Sequence, residues 1–416
     1  MGEAHQQNKL NWIRKTVQFC CGNIRNSAAI LSLYKIINML KLSSLFVVHC
    51  SDRAVSHAFF SLCKHWQTSE IQCRMAVPSC EPLCRGSNLV EGVPPLLRKL
   101  YYRSASAPQQ MAENRFLKDL KKFNAAYLWP GVSTETFKKV KKAGKPIFLE
   151  RINCYTGKAK HILDQAYMKL GVQPQHSITP EEIKREQAEI EIADFILCPS
   201  PEVTKSFQEA GVPEGKLITT SYGWCPQKLS TASTTSPQKS TKEEITVLFL
   251  GSISVRKGAH ILLRAWEKAS IKGRLILFGS LEPVIVETCN KILARPDITH
   301  FGYSKDYASV YCEADIFAFP SLEEGSPLVT YEAMAHGLPI LTSPMGSGGI
   351  VRDGIDGIIV SPYDEGALVK ALQKLASSPE LRANFGKSAY QRARDFTWEK
   401  TATKRATSIL EKLRTC

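Results

Sequence analysis

The chain has 416 residues, 44% hydrophobic and 22% charged. This composition excludes a disordered or fibrous protein and, at roughly 100–200 residues per domain, predicts two domains rather than one core. Lysine and arginine number 54 against 39 aspartate and glutamate, a formal net charge of +15. That excess points to an acidic partner: a phosphorylated small molecule, an anionic membrane surface or nucleic acid. The thirteen cysteines show no C-x-x-C pair, which argues against a zinc or redox motif, so they read as reduced thiols and no metal is implied.

No run reaches the ~18–20 apolar residues of a membrane span. The best one, "SAAILSLYKIINML" (27–40), is broken by Lys35, and Gln6 stands where a myristoylation signal after Gly2 wants serine or threonine. The expectation is a cytoplasmic chain without a lipid anchor, with peripheral contact at the inner face of a membrane left open.

Residues 1–42 form an N-terminal extension in which Ile30, Leu33, Ile37 and Leu40 recur at helical spacing. From 43 onward strand and helix patterns alternate: "SSLFVVHC" (43–50), "NAAYLWPG" (124–131), a helix "STETFKKVKKAG" (133–144), "KPIFLER" (145–151), "IADFILCPS" (192–200) and a helix to Gly211. This alternation is the mark of βαβ units and a parallel sheet, here assigned to 43–225. The stretch 226–243, "PQKLSTASTTSPQKSTKE", has little to bury and reads as a linker. The alternation then restarts over 244–395 with "ITVLFLG" (245–251), "GRLILFG" (273–279), "DIFAFPS" (315–321), "LPILTS" (338–343) and "GIIVSP" (357–362), and 396–416 form a last helix. The fold class is α/β, two doubly wound Rossmann-like domains facing across a cleft, with ligands expected at the carboxyl ends of the strands.

Two strand ends in the second half carry chemistry. After Gly251 comes "SISVRKG", where Arg256 and Lys257 precede Gly258 and a helix, a pair of cations suited to a diphosphate. After "DIFAFPS" comes "LEEGSPLVTYEAMAHG", with Ser326 placed to cap a helix that starts at Pro327. The N–H groups of Ser326, Leu328 and Val329 then form an anion site with the helix dipole. Glu324 and Glu332 lie roughly 10–12 Å apart at helical rise, too far to share one glycosidic bond, which needs about 5–9.5 Å. They fit opposite ends of a long ligand: Glu332 takes the hydroxyls of a ribose, which compensates its burial in an apolar run, and Glu324 faces a sugar beyond the phosphates.

The run E-G-S-P-L-V-x-x-E-A-M-A-x-G-x-P at 324–339 resembles the E-x7-E signature of the family 4 retaining glycosyltransferases, glycosyl transferases group 1, which have the GT-B fold. G-S-x-S-x-R-K-G (251–258), A-D-I-F-x-x-P-S (314–321), G-I-D-G-I-I-V-S-P (354–362) and "FTWEK" (396–400) extend the likeness. The resemblance implies a hexosyltransferase that moves a sugar from a nucleoside-diphosphate sugar to an acceptor hydroxyl with retention, the nucleotide sugar being a co-substrate and no cofactor or metal being required. Arg256 and Lys257 would neutralise the diphosphate, and Glu332 would hold the ribose. Glu324 would act beside the anomeric carbon, and the backbone from Gly325 to Val329 would cap phosphate or sugar. Many members have arginine after the strand-end glycine; Ser252 stands there.

The first domain is less similar and lacks a glycine-rich turn. Its stretch 148–167 would supply a polar residue to the sugar, with His161 the catalytic candidate and Glu150 and Asn153 as others, while Glu191, Asp194 and Ser200 would serve structure. The acceptor, a glycan, lipid or small molecule, stays open. Alternatives are a silent nucleotide-sugar-binding protein and a nucleotide-sugar epimerase. Nucleic acid is disfavoured because no binding module is present, and the basic runs at 96–103 and 115–123 better suit an anionic membrane or an acidic acceptor.

Overall fold

The computed structural model describes residues 39–68, 70–229, 244–303 and 308–415. The expectations for residues 1–38 and for 230–243 lie outside them. Among the described residues thirteen strands build two sheets: β1 (Leu40–Leu45), β2 (Ile71–Val77), β3 (Leu89–Glu91), β4 (Ala125–Leu128), β5 (Ile147–Glu150), β6 (Phe195–Cys198) and β7 (Leu217–Thr219) in the first. The second holds β8 (Ile245–Leu250), β9 (Gly273–Phe278), β10 (Ile298–Phe301), β11 (Ile316–Phe319), β12 (Ile340–Thr342) and β13 (Gly357–Ile359). The spatial orders are β3-β2-β1-β4-β5-β6-β7 and β10-β9-β8-β11-β12-β13, every pairing parallel.

The strands read as unbroken apolar runs because both faces are covered. In β4, Ala125 and Tyr127 join one apolar cluster and Ala126 and Leu128 another. The first strand starts at Leu40 and ends at Leu45, not within 43–50. Leu40 and Leu42 are core residues, whereas Val48 is 55% exposed, so burial sets a register that β-propensity alone misplaced. The strand order of each sheet reverses once, between β1 and β4 and between β8 and β11, which puts a crevice at the carboxyl ends of those pairs.

The last helix, Trp398–Thr415, returns to the first sheet's domain. Trp66 donates its indole N–H to the Ala402 carbonyl at 2.7 Å. Arg405 donates to Glu150 at 2.7 Å, and Tyr127 and Tyr222 donate to the same carboxylate at 2.5 and 2.9 Å. Glu150 is therefore a core anchor and not a sugar ligand. Burial works against the Arg405 charge, but Glu150 more than offsets it and holds the guanidinium pKa above its ordinary value. The outgoing and returning chains run side by side: Trp224 N–H donates to Phe396 at 3.0 Å, and Trp398 N–H to Trp224 at 3.2 Å. Among the described residues no helix is long and apolar enough to cross a membrane.

Arg405 is 1% exposed and Glu150 0%, so Arg405→Ala strands a buried carboxylate. Chemical denaturation should show a loss of about 3–5 kcal/mol, and Arg405→Ala combined with Glu150→Gln should recover part of it.

Candidate active site

The reversal between β8 and β11 brings the loop 251–258 against the loop 320–327. The Arg256 carbonyl accepts from the Leu322 N–H at 2.9 Å and from the Ser321 hydroxyl at 3.2 Å. Gly258 makes this approach possible. Its φ is +70°, and a Cβ there would stand 2.1 Å from the Pro320 carbonyl oxygen, so only glycine permits both the turn and the contact. From Gly258 the helix Ala259–Ala269 begins.

This contact sets two cations beside two carboxylates. Arg256 Nη1 lies 3.1 Å from Glu323 Oε2 and 4.0 Å from Glu324 Oε2, and Lys257 forms an ion pair with Glu324. Glu323 and Glu324 are buried. Burial, then the Arg256 charge, pulls the Lys257 pKa well below the ordinary lysine range, with Glu323 pulling the other way. Each cation thus has a carboxylate partner within the protein.

The helix starts at Leu328, one residue later than expected, with Pro327 in the N-cap position. Ser326 does not cap it; its hydroxyl lies 2.6 Å from that of Tyr331. The N–H groups of the first turn, Leu328 and Val329 among them, have no acceptor within the helix. Glu332 is half-buried, and its burial is compensated within the protein: Tyr311 donates to Glu332 Oε2 at 2.9 Å and stacks on His336 at 4.7 Å.

A cavity of about 630 Å³ separates the two sheets here. Arg256, Ser252 and Glu323 line it from the second domain, Arg151, Asn153 and Glu186 from the first. Arg151 is held by Glu186 and by Glu189 at 3.3 Å, and burial pushes the Glu189 carboxyl up. The domains also touch directly. Cys154 N–H donates to Glu323 at 3.3 Å, Tyr222 N–H to the Tyr331 hydroxyl at 3.0 Å, and the Tyr167 hydroxyl to Glu282 at 2.6 Å.

The structure thus assembles Gly251, Arg256, Lys257, Glu324, Gly325, Ser326 and Pro327 on two adjoining loops, with Leu328 and Val329 opening the helix that follows and Glu332 one turn further along it. His161 is not brought to them. It stands exposed on the helix Thr156–Lys169, its ring 3.0 Å from Gln165, because the helix turns its Ala159 and Leu163 face inward. Sequence reasoning missed Glu323, the partner of Arg256, and Arg151. The Glu-Glu doublet at 323–324 and the i, i+3 pair Glu186/Glu189 were the available signals.

Gly325 is the tightest point. A Cβ there would fall 1.8 Å from the Ile152 carbonyl oxygen of the other domain, and backbone cannot yield as a side chain does. Gly325→Ala should part the domains, raising the radius of gyration in small-angle scattering and cutting any turnover by about a hundredfold.

Residues 244–378 match the family model Glycosyl transferases group 1. The D-inositol 3-phosphate glycosyltransferase of Corynebacterium kroppenstedtii is 32% identical over 171 residues, 38% of this chain and 38% of that enzyme. The chain therefore spans well under half the length of the curated relatives it matches. Two solved structures share the whole architecture: sucrose-phosphate synthase from Thermosynechococcus elongatus (TM-score 0.63, 18% identity, 91% of this chain and 100% of that one) and Anabaena HepE in complex with UDP (TM-score 0.61, 14% identity, 91% and 100%). With two facing parallel sheets, each reversing its strand order once, the chain has the GT-B fold, and residues 244–378 of its second domain carry the likeness to the glycosyl transferases group 1.

Proposed function

We propose that this protein transfers a hexosyl group from a nucleoside-diphosphate sugar to an acceptor hydroxyl with retention of configuration. The observation that carries this reading is the meeting of Arg256, Lys257 and Glu324 on two loops that lead into a helix N-terminus, with Arg256 and its partner Glu323 lining a cavity shared by both domains. HepE, a structure of the same fold, is in complex with UDP, which supports a nucleotide as a ligand of this chain.

In this reading Arg256 and Lys257 exchange their carboxylate partners for the donor diphosphate, and the first turn at Leu328 and Val329 adds N–H donors. Glu332, already oriented by Tyr311, takes the ribose hydroxyls. Released from Lys257, Glu324 faces the sugar. The bond from the anomeric carbon to the phosphate oxygen breaks and a bond to the acceptor oxygen forms on the same face. The acceptor proton passes to the departing phosphate, so the protein supplies position and charge rather than a nucleophile. The first-domain wall of the cavity carries Glu182, Glu186 and Glu189 against Arg151 and Arg185, which suits a neutral hydroxyl-bearing acceptor better than a phosphorylated one.

Titration calorimetry against UDP, GDP and ADP tests the donor site. One nucleotide should bind, and Lys257→Ala and Glu332→Ala should each weaken it by about tenfold or more, the usual loss for a charge-assisted hydrogen bond. Binding of none of the three would end the transferase reading. Glu324→Gln should keep nucleotide affinity and lose turnover, and proton NMR of the product should show the donor's anomeric configuration.

A further inference from the structure

Residues 82–106 contain four cations, Arg85, Arg98, Lys99 and Arg103, and one carboxylate, Glu91. The same stretch holds the two most exposed large apolar side chains among the described residues, Leu96 at 97% and Leu83 at 81%, together with Leu97, Leu100 and Tyr102. Single leucines on a surface need no explanation, but a cluster of this kind marks an interaction site.

The cluster is one surface. Glu91 pairs with Arg98 and lies 3.9 Å from Arg85, which draws the turn Pro82–Cys84, bearing Leu83, toward the turn Pro95–Leu97 and the helix Arg98–Tyr101. Tyr102 bonds Ser79, which also holds His49 at 2.7 Å. These segments leave the carboxyl ends of β2 and β3, which run parallel to β4 and β5. The loops after β4 and β5 line the cavity, so the exposed surface and the cavity open on the same rim of the sheet. The second basic run, 115–123, is different: Phe116 and Leu120 are buried and Asp119 takes Arg74, Arg115 and Lys122. It is an ordinary amphipathic helix.

We propose that the surface formed by Leu83, Leu96, Leu97 and Leu100 docks on an anionic lipid bilayer. The leucines enter the boundary between headgroups and acyl chains, and Arg85, Lys99 and Arg103 meet lipid phosphates. A bilayer fits better than a protein partner because leucines flank a pair of cations in L-L-R-K-L (96–100), whereas the centre of a protein interface is depleted of charge. This inference goes beyond glycosyl transfer and does not rest on it.

Co-sedimentation of the full chain with phosphatidylcholine vesicles, with and without phosphatidylserine, tests it. Binding should require the anionic lipid and weaken with salt. Leu96→Ser with Leu100→Ser, and separately Lys99→Glu with Arg103→Glu, should each reduce partitioning roughly tenfold or more while leaving the unfolding transition unchanged. Absence of binding, or equal binding by both variants and by neutral vesicles, overturns the proposal. So does a concentration-dependent dimer in sedimentation velocity that Leu96→Ser with Leu100→Ser abolishes, which would assign the surface to a second copy of the chain.

Discussion

The site depends on one backbone atom, the carbonyl oxygen of Arg256. By accepting from Leu322 and Ser321, it fastens the loop after β8 to the loop after β11, and the two cations and two carboxylates fall into register as a result. Gly258 is the condition for this contact, since any Cβ would collide with Pro320. The charges do not assemble the site. They are assembled by a hydrogen-bonded backbone at the point where strand order reverses, which is where an open parallel sheet leaves a crevice.

The second domain was legible in the sequence because its information is local. "ITVLFLG", the R-K-G turn and the E-x7-E run each occupy a single loop or helix, and topology merely sets those loops side by side. Arg256, Lys257 and Glu324 could be named from such stretches. Their mutual pairing could not, nor could Glu323, because which of two adjacent glutamates meets which of two adjacent cations is decided in three dimensions.

The first domain was less legible for the same reason. Glu150 reads as a ligand candidate until Arg405, more than 250 positions later, is seen to hold it in the core. His161 sits in a promising stretch but on the solvent side of its helix. Arg151, one residue past a strand end, is fixed by two glutamates on a separate helix. The shift of the first strand to Leu40–Leu45 has a similar origin: Leu40 and Leu42 find the core, and Val48 does not.

The chain crosses between domains twice, outward through Trp224 and back through Thr397, and the two crossings are joined by hydrogen bonds between Trp224, Phe396 and Trp398. A body tethered by one strand can swivel and twist; one tethered by two adjacent, bonded strands is left mainly with rocking about the line through both. Such a join is that of a hinged case rather than a ball joint. With Gly325 seated against the Ile152 carbonyl, alignment across the cleft is set by the protein's own backbone and not by whatever lies within it.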